Sequence, residues 1–241
     1  MPKIKLAIRN AWIVLLAVFL SGCAQEDTDQ GTLVALGDSI TYGANLADSG
    51  RSAYPYLIGE DAGFEVHNLA VSGWQTEHVM EALREDEEHR QKVEGADVIA
   101  MTIGGNDLLE ILRMVETASA GDPERMQEIL NQELGSNTFF NELGELIEEI
   151  QSLTDAQILL YTIYNPFPPH SYMHQIGEAF LPEVNAAFGE VAESYENVYL
   201  ADAYSAYRDK QEDYIIAGDI HPTEKGQAVL AEIGLEAIES D

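Results

Sequence analysis

Short apolar runs alternate along the chain with longer segments in which apolar residues recur every three or four positions. Each short run ends in glycine or polar residues, which is typical of a buried strand. The pattern predicts strands at residues 33–36, 64–69, 97–103, 157–163 and 197–201. Strands that alternate with helices pair in parallel through right-handed crossovers, so this order predicts an α/β fold with a parallel sheet covered on both faces.

The segments between and after these strands have helical periodicity. They predict helices at residues 54–62, 74–93, 108–118, 124–134, 139–153, 178–195 and 224–239. Gly63 is expected to close the first of these helices, and Asn106 or Asp107 to lie near the cap of the third. Pro182 falls inside the sixth and is expected to kink or restart it.

The beginning of the chain has the pattern of an export signal. Lys3, Lys5 and Arg9 give it a positive start, and residues 11–20 form an apolar run too short to span a bilayer as a free helix. A Leu-Ser-Gly-Cys sequence follows and ends at Cys23. This arrangement resembles a bacterial lipoprotein signal, in which the cysteine is lipidated and becomes the new N-terminus. An ordinary signal with an incidental cysteine is the alternative.

The chain is therefore expected to have three parts. These are a signal peptide with the lipidation cysteine at residues 1–23, an acidic tether at residues 24–31, and one folded domain at residues 32–241. The tether is polar and charged, a composition that disfavours a packed structure. We expect the mature protein to be exported and held by acyl chains on the extracytoplasmic face of the cell membrane.

The composition is strongly acidic. Twelve basic residues against 43 acidic ones give a net charge of −31, and loss of the three basic residues of the signal leaves −34. Such a surface repels nucleic acid and anionic lipid head groups, so we expect neither as a partner. Cys23 is the only cysteine, so the mature domain has no disulfide and relies on its core for stability. We expect a monomer.

Small or polar residues stand at the ends of three predicted strands. Ser39, Gly73 and Asn106 occupy these positions, and His221 precedes the last helix. Parallel strands place their carboxyl ends at one edge of a sheet, where ligands bind, so these four residues can meet. A serine hydroxyl needs a base such as histidine to become a nucleophile. A backbone N–H beside Gly73 and the Asn106 amide can stabilise an oxyanion.

Four blocks of the chain together resemble the GDSL, or SGNH, hydrolase superfamily, in the order that this superfamily has. They are Gly-Asp-Ser at 37–39, residues 68–73, Gly-Gly-Asn-Asp at 104–107 and Asp-Ile-His-Pro at 219–222. The resemblance implies a flavodoxin-like three-layer α/β/α sandwich with a five-stranded parallel sheet. It implies a serine nucleophile, Ser39, with His221 as base, and an oxyanion hole made by the N–H groups of Ser39 and Gly73 with the Asn106 side chain. It implies neither a metal nor an organic cofactor.

The chain departs from the superfamily at its last block. The triad aspartate usually stands three residues before the histidine, whereas here Gly218 has that position and Asp219 stands two before His221. Either Asp219 orients the imidazole, with its carboxylate stabilising the imidazolium formed during attack, or a backbone carbonyl does so and leaves a Ser–His dyad. We expect Asp38 to brace the turn at the nucleophile and Asp107 to act as a cap.

Two other groups of residues carry alternatives. His78 and His89 lie among acidic residues, where a metal site is conceivable, but so acidic a chain favours a solvated face. The long connection 109–153 is expected to pack as two helices, or to form a hinged cover over the site, since Gly121 and Gly135 flank its middle helix.

The expected activity is hydrolysis of carboxylic esters through an acyl-enzyme. One substrate class is short- or medium-chain acyl esters, including lysophospholipids, for an esterase or lipase. The alternative is the O-acetyl group of a polysaccharide or cell-wall glycan. A third hypothesis, from another functional class, is a silent surface protein that binds glycan or lipid in the cleft.

Overall fold

The structure is a computed structural model that describes residues 30–135 and 138–239. Five strands form one parallel sheet in the order β2-β1-β3-β4-β5. The strands are β1 Thr32–Gly37, β2 Glu65–Asn68, β3 Val98–Thr102, β4 Gln157–Tyr161 and β5 Val198–Ala201. From β1 the chain first adds β2 on one side and then β3 on the other. A crevice opens between the carboxyl ends of β1 and β3, where the order of the strands reverses. The signal, Cys23 and most of the tether lie outside the described residues.

Helices cover both faces of the sheet, so the predicted three-layer α/β/α fold is confirmed. They are α1 Ser39–Tyr42, α2 Ser49–Ser52, α3 Tyr54–Ala62, α4 Thr76–Glu85, α5 Glu87–Glu94, α6 Gly105–Ser119, α7 Pro123–Gly135, α8 Thr138–Gln151, α9 Tyr172–Glu193, α10 Ala203–Tyr207, α11 Gln211–Tyr214 and α12 Glu224–Glu239. Within the described ranges, none of these helices is both long and apolar enough to cross a bilayer.

Alternate residues of each central strand enter two separate cores. In β1, Val34 and Leu36 pack with α4, α8 and α9, whereas Leu33 and Ala35 pack with α3 and α12. All four side chains are fully buried. This alternation follows from the two-residue period of a strand, and burial on both faces explains why the strands appear in the sequence as unbroken apolar runs.

Three predicted helices differ from the structure by more than two residues at one end or are divided. The segment 74–93 is two helices, α4 and α5, because Asp86 leaves helical geometry and its carboxylate caps α5. The helix predicted from residue 108 begins at Gly105 with Gly104 as its cap, so Asn106 and Asp107 lie near the cap, as predicted, in the first turn. The helix predicted from residue 178 begins at Tyr172, capped by Ser171, and continues through Pro182. The strand predicted to reach residue 163 ends at Tyr161.

Candidate active site

Ser39 lies directly beyond β1, at the edge of the sheet that the sequence predicted. Gly37 ends the strand with φ 110°, and a Cβ there would collide with the carbonyl oxygen of Thr102 on the neighbouring strand. The turn therefore requires glycine. Asp38 follows as the N-cap of α1, and Ser39 is the first residue of that helix, with 8% of its surface exposed. As the first helical residue, Ser39 has no acceptor for its N–H within the helix.

Asp38 braces this turn, as predicted. Its carboxylate accepts hydrogen bonds from the Ile40 N–H at 2.9 Å and from the Thr102 hydroxyl at 2.8 Å. The Thr102 hydroxyl also lies 2.7 Å from that of Thr41, which lies 2.9 Å from the Tyr54 hydroxyl. Burial raises the pKa of the Asp38 carboxyl to about 6, although these two hydrogen bonds oppose the rise. The nucleophile thus stands on a buried, fully connected polar network.

The first turn of α6 holds the segment that contains Gly73. Asn106 donates from its amide to the Trp74 carbonyl oxygen at 2.8 Å, and the Asp107 carboxylate accepts from the Thr76 N–H at 3.2 Å. The Val71 N–H donates to the Gly37 carbonyl oxygen at 3.1 Å, which joins the same segment to the nucleophile turn. Asp107 therefore supports the start of α4, where the sequence had suggested a cap for its own helix.

The Gly73 N–H is free to bind a ligand. Gly73 has φ 87°, and among the residues that the structure describes its N–H meets no acceptor. Asn106 donates one of its two amide hydrogens to the Trp74 carbonyl oxygen, and its second amide hydrogen is available to a ligand. Together with the Ser39 N–H, these donors stand on three segments that hydrogen bonds tie to one another.

His221 and Asp219 form a direct pair in the loop before α12. The His221 Nδ1 atom lies 2.6 Å from Asp219 Oδ1. This contact assigns the ring proton to Nδ1 and leaves Nε2 as the acceptor, since a carboxylate can only accept. The loop is fixed by the hydrogen bond of Ile216 N–H to the His221 carbonyl oxygen, at 2.9 Å. Of the two groups considered for orienting the imidazole, the carboxylate is the one in contact.

The Asp219 carboxylate has two further donors. The Ile220 N–H donates to Oδ1 at 2.7 Å, and the Asn45 amide donates to Oδ2 at 2.6 Å. Partial burial alone would raise the pKa of the Asp219 carboxyl, but the hydrogen bonds from Ile220, His221 and Asn45 lower it below its usual value. No sequence pattern indicated Asn45, which is 174 positions from Asp219.

Ser39 and Asn106 border one pocket of about 100 Å³. Ile220, the neighbour of His221, borders it as well, and the charge of His221 acts on the Asp38 carboxyl. In the part of the chain that the structure describes, no hydrogen bond joins the Ser39 hydroxyl to the His221 ring. Such bonds often tighten only when substrate is bound. The structure thus places Ser39, Asn106 and the neighbour of His221 around one pocket at the edge of the sheet.

One wall of the pocket is apolar. Helices α6 and α9 form it, with the loop between β4 and α9. Its side chains include Leu108, Leu109, Leu112, Phe167, Ile176 and Phe180. Because these side chains line the same pocket as Ser39, the pocket can receive an apolar chain attached to an ester carbonyl.

His78 and His89 pack on Trp74. The ring centroids lie 6.5 Å from Trp74 for His78 and 5.7 Å for His89. The prediction of a solvated face is right for His78, which is exposed, and wrong for His89, whose side chain is 14% exposed. Within residues 30–135 and 138–239, no three His, Cys, Asp or Glu side chains group as a metal site. The hinged cover stays a prediction; Leu130 of α7 is buried in the core.

Comparisons with known proteins show the family and the fold of this chain. The model of the GDSL-like Lipase/Acylhydrolase family matches residues 35–229. The chain is 30% identical over 207 residues to the spore germination lipase LipC of Bacillus licheniformis. The matched region covers 82% of this chain and 92% of LipC. The lipase Lip_vut3 from a goat rumen metagenome has a TM-score of 0.68 at 25% identity, covering 86% of this chain and 97% of its own. The acetylxylan esterase Axe2 of Geobacillus stearothermophilus shares the fold, with a TM-score of 0.60 at 18% identity over 87% of this chain and 95% of its own.

Proposed function

The chain belongs to the GDSL-like Lipase/Acylhydrolase family and is a carboxylic ester hydrolase. We propose that it cleaves short- to medium-chain acyl esters through Ser39, His221 and Asp219. The observation that carries the choice of substrate is the pocket with an apolar wall that begins at Ser39 and Asn106. Each methylene that leaves water on entering such a pocket contributes about 0.8 kcal/mol to binding. Lysophospholipids are members of this substrate class.

Attack begins at the Ser39 hydroxyl. Its oxygen adds to the ester carbonyl carbon while its proton passes to His221 Nε2. The hydrogen bond between His221 Nδ1 and Asp219 supports this step in two ways, because it keeps Nε2 free to accept and places a negative charge beside the imidazolium.

The carbonyl oxygen becomes an oxyanion in this step. The N–H groups of Ser39 and Gly73 and the second amide hydrogen of Asn106 donate to it. These donors are oriented before the substrate arrives, since Asn106 is held by the Trp74 carbonyl oxygen and Gly73 lies in the same tethered segment. Prior orientation is what makes such donors effective.

The imidazolium then returns its proton to the leaving alkoxide, and the carbon–oxygen bond to the alcohol breaks. Ser39 is left as an acyl ester. Water repeats the sequence in the second half: His221 takes a proton from the water, the hydroxyl adds to the acyl carbon, and Ser39 leaves with the proton. The products are a carboxylic acid and an alcohol.

A panel of p-nitrophenyl esters with acetyl, butyryl, octanoyl and palmitoyl chains tests the substrate class, with acetylated xylan beside it. We expect kcat/KM to rise by about 10-fold or more from acetate to octanoate, since added methylenes enter the apolar part of the pocket. Faster hydrolysis of acetate and acetylated xylan than of octanoate would instead indicate an O-acetyl esterase, the alternative function.

Two variants of α6 locate the acyl chain. Leu112→Trp fills the pocket and is expected to lower kcat/KM for octanoate while acetate is spared. Met114→Trp is the matched control, because Met114 lies on the same helix and is 46% exposed. Equal loss for acetate and octanoate in Leu112→Trp would show that the chain binds elsewhere.

Labelling by a fluorophosphonate separates an enzyme from a silent binding protein. The reagent should modify the full chain at Ser39, and Ser39→Ala should abolish both labelling and hydrolysis. Ser194→Ala is the control, because the hydroxyl of that exposed serine donates to the Glu190 carbonyl oxygen at 2.8 Å and does not line the pocket. A Ser39→Ala variant that retains hydrolysis would contradict the proposed nucleophile.

The N-terminal sequence supports export and lipid anchoring through Cys23. The tether 24–31 joins β1 at its amino end, whereas Ser39 lies at the carboxyl edge, about 20 Å away along the strand. An extended tether of this length reaches at most about 30 Å. Because this reach exceeds the distance from the start of β1 to Ser39, the active-site edge of an anchored protein can meet substrates at the membrane surface or in the surroundings.

Mass spectrometry of the mature protein from its native host tests the anchor. We expect a diacyl- or triacyl-modified N-terminus at Cys23, and Cys23→Ala should release the protein from the membrane fraction. A freely secreted, unmodified wild-type form would contradict lipidation and leave an ordinary signal as the explanation.

A further inference from the structure

Asn45 lies in the loop after α1 in a backbone conformation that few residues adopt. Its φ is 64°, in the left-handed region, where asparagine occurs several times more often than most other non-glycine residues. The residue is exposed, so packing in a core does not hold it there. Its side-chain amide donates one hydrogen bond to the loop of Asp219 and His221, at Asp219 Oδ2.

This hydrogen bond completes the fixing of the Asp219 carboxylate. Oδ1 already accepts from His221 Nδ1 and from the Ile220 N–H, both on its own loop. Oδ2 has the Asn45 amide as its donor at 2.6 Å, and the same nitrogen lies 3.2 Å from His221 Nδ1. The terminal torsion of an aspartate is soft, so a carboxylate held through one oxygen can rotate. A donor from a separate loop at the second oxygen prevents that rotation.

The loop of Asn45 is also tied to the nucleophile. The Ala44 N–H donates to the Ser39 carbonyl oxygen at 2.9 Å, and the Gly43 N–H donates to that of Ile40 at 3.2 Å. Asn45 follows directly. It therefore connects two parts of the site that the chain separates by well over a hundred residues, the turn of Ser39 and the loop of His221.

We propose that Asn45 is a positioning residue that acts through Asp219 to hold the His221 imidazole toward Ser39. The need arises because Asp219 stands only two residues before His221, and its Oδ1 is shared between the imidazole and the adjacent backbone. The amide of Asn45 fixes the oxygen that the local loop leaves unheld. This inference rests on the proposed roles of Ser39, His221 and Asp219.

Asn45→Gly removes the amide and keeps the backbone, because glycine adopts a φ of 64° without strain. We expect kcat for p-nitrophenyl butyrate to fall about 10-fold or more, the size of effect that loss of a hydrogen bond to a charged group produces. KM should stay within about two-fold, since the amide touches no part of the substrate pocket. Asp209→Gly is the matched control: Asp209 also has a left-handed φ, 61°, and lies between α10 and α11. We expect its kcat to be unchanged.

A double-mutant cycle separates positioning from a purely structural role. In an Asp219→Ala background, Asn45→Gly should change kcat by less than about two-fold, because its target is gone. An equal loss in both backgrounds would overturn the proposal, as would a wild-type kcat for Asn45→Gly. Neither result would touch the proposed function, whose failure would be visible separately as hydrolysis by Ser39→Ala.

Discussion

Two aspartates near the proposed nucleophile are held in opposite ways. Asp38 is 4% exposed beneath the Ser39 turn, and burial raises the pKa of its carboxyl to about 6. Asp219 lies in a partly exposed loop, and its hydrogen bonds, acting against partial burial, lower the pKa of its carboxyl. The first carboxylate is buried at a cost to stability; the second is kept charged beside the histidine.

The difference indicates how the site is divided. The Ser39 turn is fixed by hydrogen bonds to groups that belong to the sheet and to α1, and these groups also hold the fold together. The His221 loop is fixed by a few hydrogen bonds, and three of them end on the Asp219 carboxylate. Substitutions under the serine should therefore lower stability, and substitutions around the histidine should lower turnover while the fold survives.

Asp219→Asn should have the largest effect on activity. An amide at this position favours the wrong imidazole tautomer and cannot stabilise the imidazolium, so we expect kcat to fall by about 10³- to 10⁴-fold. The midpoint of thermal unfolding should change little. Steady-state kinetics on p-nitrophenyl butyrate measures the first quantity. Turnover near that of the wild type would favour the Ser–His dyad.

Asn106→Ala should have the next largest effect. It removes one proposed oxyanion donor and the hydrogen bond to Trp74, and we expect kcat to fall by about 100- to 1000-fold. Asn131→Ala, on the exposed surface of α7, is the control and should retain the wild-type rate. A loss that appears only in KM would argue against a role in the transition state.

Gly37→Ala tests the stability side of the comparison. Its Cβ meets the carbonyl of Thr102 in the sheet, so we expect the free energy of unfolding to fall by roughly 3 kcal/mol or more. Gly63→Ala is the matched variant, because Gly63 also has a left-handed φ, 78°, but no atom lies within 4 Å of its Cβ position. That variant should lose only about 1 kcal/mol. Equal losses in urea unfolding would mean that the collision has no effect.

Asp38→Asn should change the pH dependence of stability. The folded protein holds the Asp38 proton more tightly than the unfolded chain does, because the pKa of the carboxyl is about 6 when folded and its usual value is 3.8. Ionisation therefore lowers wild-type stability as pH rises from about 4 through 6, by up to about 3 kcal/mol. The Asn variant lacks this term, so its stability relative to the wild type should increase over that interval. A difference in urea unfolding that is constant between pH 4.5 and 7.5 would contradict a raised pKa.

Local periodicity was sufficient to predict the framework of this molecule. All five strands were predicted, and the helices Tyr54–Ala62 and Glu224–Glu239 have the predicted bounds. It failed where a single polar side chain decides the path, as at Asp86, which divides one predicted helix into α4 and α5. Short helices such as α1 and α2 lack the length to show a period.

The site divides in the same way. Ser39, Gly73 and Asn106 could be predicted because parallel strands end at a common edge, and His221 because its block resembles that of a known superfamily. Asn45 could not be predicted as a partner of Asp219. Their hydrogen bond joins two loops that are remote in sequence, and it depends on the left-handed backbone of Asn45.

The crystal structure of the protein with a phosphonate bound covalently to Ser39 tests the central claim most directly. The account predicts the phosphonyl oxygen within about 3 Å of the N–H groups of Ser39 and Gly73 and of the Asn106 amide. It predicts His221 Nε2 within hydrogen-bond reach of the Ser39 oxygen or of the leaving-group position. An imidazole directed away from Ser39, or an oxyanion site formed by other donors, would contradict it.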